Sequence, residues 1–506
     1  MDYTKCKMHL ETTQRADRRA FLRTAALAPV AGSLEVLHAA AKPGAQPKNI
    51  IFMVADGMSP SVLPLAEYFS QEVRKKSLLW RVLMERPQST RGLMDMASLD
   101  SVTTDSSAAS SSWGSGARIF NGALNVLPDN TRLVPIAAVA QEQGRRVGLV
   151  TTTTVTHATP AGFAAVGKSR SNEDAIANQY IDKVDIVLGG GLRFFDASIR
   201  KDKCDLISQY SQAGFTHVAS RKGLQRCSQE RKTVKMLGLF SPSMIPYSLD
   251  RRNNAELRDS IPTLAEMTSA ALEVLGHSPK GFLLQVEGGR VDHAAHNNDA
   301  AALLWEQLAF DEAIEVVLRF AERHPDTLIV ITADHGNGNP AIGGKWAQLS
   351  GESNGFRALA RARCSFDQIL TRFGGGNTTP VTIQEVTREA LGFALTRDEL
   401  DAVSAAMASK KGLSLNSRLD KPVGILGQAV GNHTGIGWVS TDHTSDYVLL
   451  TALGPGRERF AGYIRNTSCF ENMVDLMGSR FRNPTMGPQA ATAFPHVVPQ
   501  GRAHWA

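Results

Sequence analysis

Three apolar runs along the chain end in the same way. "NIIFMVADG" runs out at Asp56, "GFLLQVEGG" at Glu287, and "TLIVITADHG" at Asp334 and His335. An apolar run with no polar alternation is the pattern of a strand buried on both faces, and such strands belong to parallel sheets covered by helices on each side. A carboxylate or imidazole at the end of the run then lies on the rim beyond the carboxyl ends of the strands, where open α/β sheets build their sites. "RVGLVTTT" and "VDIVLGGG" add two strands of this kind, and "SDYVLLTALGPG" a late one. Helical segments such as "TRLVPIAAVAQEQG" and "DAAALLWEQLAFDEAIEVVLRFAERH" lie between them. The alternation predicts an α/β fold, a three-layer sandwich with a central, mostly parallel sheet and helices on both faces.

At 506 residues the chain exceeds what one core usually serves, so the sheet should carry an insertion or a second domain. From about 340 to 432 the pattern changes to Gly- and Ser-rich connections around helices, among them "TIQEVTREALGFALTRDELDAVSAAMAS". Thr396 and Glu399 have capping-box spacing before the second of these. This block is read as a largely helical insertion over the carboxyl-end face of the sheet. The stretch after about Arg482 reads as loosely ordered.

The N-terminus, "ADRRAFLRTAALAPVAGSLEVLHAAAK", sets Arg18-Arg19 before Phe21-Leu22, a modest apolar stretch and small residues up to Ala41. That is the outline of a twin-arginine export signal over residues 1–41, which predicts a periplasmic or secreted protein. The net charge of +6 draws part of its excess from this segment, so nothing in it asks for nucleic acid as a partner. No later segment is apolar and long enough for a transmembrane span. With Cys6 removed by cleavage, Cys204, Cys227, Cys364 and Cys469 could pair or stay reduced.

"VEGGRVDHAAH" places Asp292 and His296 four residues apart, on one face of any helix that begins near Val291. Adjacent Asp334 and His335 would be costly to bury unless paired or bound to a cation. With Asp56 and Glu287 they bring oxygen and imidazole donors to one rim, a set that suits zinc and magnesium. "TTDSSAASSSWGSG", residues 103–116, has two readings: a flexible Ser-rich linker, or a nucleophilic serine opening a helix among residues small enough for an anion to approach.

Taken together, these motifs resemble those of the alkaline phosphatase family, from Asn49 to Pro455 outside the insertion. "VTTDSSAASSSWGSG" is similar to the family's nucleophile segment and puts the attacking serine at Ser106. "THATPAG" resembles its magnesium segment, with Thr159 as a ligand and His157 behind it, and Arg170 falls eleven residues after Thr159, where the family grips phosphate. The resemblance implies a catalytic domain over residues 42–506, two zinc ions and one magnesium ion. One zinc would be held by Asp292, His296 and His443, the other by Asp56, Asp334, His335 and Ser106, and magnesium by Asp56, Thr159 and Glu287. His293, like His157, would stand behind the ligands. "NHTGIG" and "DHTSDYV" both resemble the family's last His-Thr element; His443 is preferred, eleven residues before Gly454-Pro455, with His433 as the alternative. "DHGNGNP" departs from the usual family sequence after the Asp-His pair. The implied activity is hydrolysis of small phosphate monoesters through a phosphoserine, and a homodimer is allowed. A phosphodiesterase of the same superfamily and a non-catalytic phosphate- or metal-binding protein are the alternatives.

Overall fold

The computed structural model describes residues 46–230, 234–343, 353–374 and 378–495. The twin-arginine segment and Cys6 lie outside them. The sheet strands are β1 (Asn49–Val54), β2 (Thr90–Asp95), β3 (Arg146–Thr154), β4 (Ile186–Gly190), β5 (Phe215–Val218), β6 (Lys235–Leu239), β7 (Phe282–Glu287), β8 (Thr327–Thr332), β9 (Val448–Leu453) and β10 (Gly462–Arg465). They form one sheet in the order β10-β2-β9-β8-β1-β7-β3-β4-β6-β5. Every pairing is parallel except those of β9, which runs antiparallel to β8 and β2.

β1, β7 and β8 are buried along their whole length, as continuous apolar runs require. β2, β5, β6 and β10 do not stand out in the sequence. β5 and β10 are four-residue edge strands and β2 alternates toward solvent, so these three need no unbroken apolar run, while β6, buried at four of its five residues, is only five residues long and opens on Lys235.

Helices cover both faces. Phe52 of β1 meets Trp113 and Phe163 at ring-centroid distances of 5.1 and 5.7 Å. These belong to α1 (Ser106–Ser115) and α2 (Ala158–Ala164). Gln285, the register partner of Phe52 on β7, donates to Thr159 O on this same side. Phe282 stands three residues earlier, hence on the opposite face, and meets Phe320 at 5.7 Å. Two successive helices follow β7: α3 (Arg290–His296) and α4 (Ala300–Arg323), which carries Phe320.

Between Ile342 and β9 the described residues form helices at Ser353–Arg361, Phe366–Phe373 (α5), Pro380–Leu391, Arg397–Met407 and Pro422–Thr434. Thr396 and Glu399 make the reciprocal bonds of a capping box. The segment docks on the sheet domain through α5, where Phe366 N donates to Asp299 Oδ2 at 2.6 Å. Beyond Arg482 the chain is anchored at two points: Asn483 accepts from Val134 N and donates to Ser115 O, and Ala491 is buried. Cys204, Cys364 and Cys469 are free thiols, and no disulfide joins any two of the described cysteines. No described helix is long and apolar enough to cross a membrane.

All ten residues of α1 are buried. Its hydroxyls are satisfied close to home, with Ser110 donating to Ala158 O, Ser112 to Ala109 O and Ser115 to Ser111 O. A Cβ on Gly114 would stand 2.0 Å from Gly162 O, and one on Gly162 would stand 2.3 Å from Ser110 Oγ. The small residues therefore let two helix backbones touch. Gly114→Ala should lower unfolding free energy by about 2 kcal/mol or more through overpacking. Ser112→Ala, which only loses a local bond, should cost about 1 kcal/mol or less. Chemical denaturation of the two variants checks the difference, and equal midpoints would contradict this packing.

Candidate active site

The rim is set by strand register. Val54 lies opposite both Glu287 and Thr332, and Thr151 lies opposite Glu287, so β1, β7 and β8 end level beside β3. Asp56 and Asp334 each stand two residues past these ends and come together, with Gly57 N donating to Asp334 Oδ1 at 2.9 Å. Gly57 has φ +69°, and a Cβ there would lie 2.4 Å from Asp292 Oδ1. Only glycine combines that turn with so close an approach of α3.

Asp56, Glu287, Asp292, Asp334 and His335 are all buried. Both Asp56 oxygens, Glu287 Oε1, Asp292 Oδ2 and Asp334 Oδ2 accept no hydrogen bond. Burial, and then the Asp334, Asp292 and Glu287 carboxylates, push Asp56 well above the usual carboxylate range. Burial likewise raises Glu287 to about 7, although Thr151 and Thr159 hydroxyls oppose it, and raises Asp334 to about 6. For Asp292 burial also acts upward, but His296, His443 and His335 outweigh it and hold the carboxyl well below its usual range.

The histidines are aimed by backbone carbonyls. His296 Nδ1 lies 2.7 Å from Thr441 O, His443 Nδ1 2.9 Å from Thr104 O, and His335 Nδ1 3.3 Å from Gly336 O. A carbonyl only accepts, so each imidazole carries a proton on Nδ1 and turns Nε2 inward. The Nε2 atoms of His296 and His443 stand 3.1 Å apart, and 3.4 and 3.7 Å from Asp292 oxygens. His335 Nε2 lies 3.2 Å from Asp334 Oδ2 and 3.6 Å from Asp56 Oδ1. Burial depresses His335 to about 4 and His443 to about 3, so both favour the neutral form. Two lone pairs facing each other beside unpaired carboxylates repel unless a cation lies among them, so this donor set fits metal ions. Among the described residues, three groups have ligand atoms near enough to share one: Asp292, His335 and His443; Asp56, Asp334 and His335; and Asp56, His157 and Glu287. His157 is thus close enough to be a ligand itself.

Ser106 opens α1, with Oγ 3.2 Å from His335 Nε2. Asp105 is the N-cap, accepting from Ala108 N at 2.8 Å. Its other oxygen accepts from Ser107 Oγ at 2.6 Å, Gly122 N at 3.0 Å and Arg170 Nη1 at 3.1 Å. Burial would raise Asp105, but the Arg170 charge and these bonds bring it below the usual range. Arg170 is thereby fixed beside the helix N-terminus, where N–H groups without intrahelical partners and the helix dipole favour an anion. Its Nη2 is also 3.1 Å from His157 Nε2.

His293 packs its ring 5.7 Å from that of His157, and neither of its nitrogens makes a hydrogen bond. His433 is elsewhere, stacked on Phe393 at 4.2 Å and 3.0 Å from Glu399. Asn337 does not emerge from the sequence reading. Its Nδ2 donates to Asp292 Oδ1 at 2.6 Å, while its backbone pairs antiparallel with His443. The signal was its place two residues after His335, on the same side of an extended segment.

The sequence profile of the family described as alkaline phosphatase matches residues 47–478. Alkaline phosphatase 4 of Bacillus subtilis is 31% identical over 433 residues, 84% of this chain and 87% of that protein. The crystal structure of Thermus thermophilus alkaline phosphatase superposes with a TM-score of 0.83 at 34% identity, covering 92% of this chain and 99% of that one. A cold-active alkaline phosphatase from a psychrophilic Shewanella sp. gives 0.69 at 29% identity, over 85% and 99% of the two chains. The chain belongs to the alkaline phosphatase family, and it is a phosphatase.

Proposed function

We propose that the chain hydrolyses phosphate monoesters by double displacement at Ser106. The observation that carries this reading is a serine at a helix N-terminus, between a guanidinium held by the helix cap and a buried set of unpaired carboxylates and inward-turned imidazoles. Ser106 Oγ forms a bond to phosphorus as the ester P–O bond breaks, giving a phosphoserine and the free alcohol. Water then attacks the same phosphorus, which releases inorganic phosphate and restores the hydroxyl. The first N–H groups of α1 and the Arg170 fork hold the phosphoryl oxygens, and Asp105 keeps that fork in place. Two zinc ions would be held by Asp292, His296 and His443 and by Asp56, Asp334, His335 and Ser106, and magnesium by Asp56, Thr159 and Glu287, with His157 beside it. When bound, such ions supply Lewis acidity that favours the serine alkoxide and stabilises the entering and leaving oxygens.

A chelator should abolish activity, and zinc with magnesium should restore it; full turnover in metal-free protein would exclude the reading. Glu287 at about 7 and Asp334 at about 6 hold protons near neutrality that an incoming cation must displace. Metal uptake at pH 7 should therefore release protons and weaken as pH falls from 8 to 5. Calorimetry in buffers of different ionisation enthalpy measures both.

Mild acid should slow the second displacement, because its water must lose a proton to attack. Phosphoserine should then accumulate when the protein is incubated with inorganic phosphate below neutral pH, quenched and mapped by mass spectrometry. The expected label is on Ser106 and absent from Ser106→Ala. A label on Ser107 or Thr104 would move the nucleophile, and normal turnover with no label would favour direct attack by water.

A further inference from the structure

One carboxylate of the segment between His335 and His443 grips both ends of helix α3. Asp367, in the first turn of α5, accepts from Asn297 Nδ2 at 2.7 Å and from Arg290 Nη2 at 3.1 Å. Arg290 is the first residue of α3 and Asn297 its C-cap. Seven residues are two helical turns, so these two stand on one face. At about 100° per residue, Asp292 and His296 project from the other side. Asp367 therefore holds both ends of the helix from behind the proposed zinc ligands.

The parts around this contact are themselves fixed. The Arg290 guanidinium lies 3.7 Å from the centre of the Tyr247 ring, and Arg290 N donates to Thr152 Oγ1 at 3.1 Å. Ser365, the N-cap of α5, donates from N and from Oγ to Asp250, each at 2.7 Å. Asp299 accepts from Phe366 N and from Ala302 N, joining α5 to the start of α4. Both oxygens of Asp250, Asp299 and Asp367 are thus taken by N–H or O–H donors, which makes this acidic cluster a joint and not a cation site. A seven-residue helix has little stability of its own, so the position of α3 must come from such contacts.

We propose that Asp367 is a positioning residue: by bridging Arg290 and Asn297 it sets the rotation and axial position of α3, and hence how Asp292 and His296 meet His443. This rests on the reading that these three residues hold zinc. The Asp367 side chain is 34% exposed while that of Arg290 is 8% exposed, so losing the carboxylate leaves a largely buried guanidinium on the Tyr247 ring and costs some global stability. The specific effect of its loss should appear in how long the ion stays.

The test uses full-length, zinc-loaded protein challenged with excess chromophoric chelator. Asp367→Ala should release one class of zinc about tenfold faster than the unsubstituted protein. The melting temperature of the metal-free form should move by about 2 °C or less, and kcat should return at saturating zinc. Asp367→Asn, which keeps the shape but loses the charge, should give an intermediate rate, and it carries the same test if the alanine variant does not fold. Arg372→Ala, at the far end of α5 where Arg372 pairs with Glu389, should release zinc at the unsubstituted rate. Unchanged release from folded Asp367 variants, in a protein that retains zinc and hydrolyses monoesters, overturns this inference alone. Equal acceleration in Arg372→Ala also overturns it, since the effect would then belong to the whole helix. A chain that retains no zinc overturns the inference together with the proposed function.

Discussion

Buried negative charge without a matching positive charge is the constraint from which the rest of this molecule follows. Asp56, Glu287 and Asp334 come from strands that end level, and Asp292 is brought against them by a helix packed so tightly that only glycine fits at position 57. Four carboxylates this close cannot all stay ionised in a dry site. They either take up protons, as the raised Glu287 and Asp334 do, or surround cations. The histidines settle the preference. Each has its outer nitrogen tied to a main-chain carbonyl, which in the neutral ring puts the proton on Nδ1 and leaves the inner lone pair for something positive.

The Ser-rich segment shows how one composition can meet two demands. Read alone, residues 103–116 suggest small side chains kept for the sake of an approaching anion. The approach concerns only the first turn, where Asp105 caps the helix and holds Arg170. The remaining serines and Gly114 serve packing, since a helix buried on every side and touching a second backbone has room for nothing larger. The hydroxyls of Ser110, Ser112 and Ser115 turn back onto carbonyls of their own helix or of α2.

Legibility in the sequence followed burial. Strands covered on both faces advertise themselves by unbroken apolar runs, and those at the centre of the sheet were readable with the residues at their ends. Edge strands such as β5 and β10 lacked that signal because half of β5 and all of β10 lie at least partly open to water. The proposed ligands were legible because each ends a strand or shares a helix face, whereas the groups that aim them were not. Thr104 and Thr441 act through main-chain oxygens, for which any residue would serve, so no sequence pattern could reveal them. Asn337 and Asp367 act by contacts between segments far apart in the chain, which only the assembled fold brings together.

The same charges couple the site to folding. Glu287 and Asp334 have folded pKa values above those of an unfolded chain, so without ions they bind protons more tightly in the folded state. The stability they contribute is fully present below the unfolded values near 4, and it is lost as pH rises through about 6 and then about 7. An ion-free chain therefore carries its largest internal strain on the alkaline side, where both carboxylates ionise in a buried site. Bound cations reverse the balance, because they need the ionised forms and repay their burial. The arrangement thus favours a folded, metal-loaded protein most strongly at neutral and alkaline pH, the range in which the proposed serine nucleophile is also easiest to ionise.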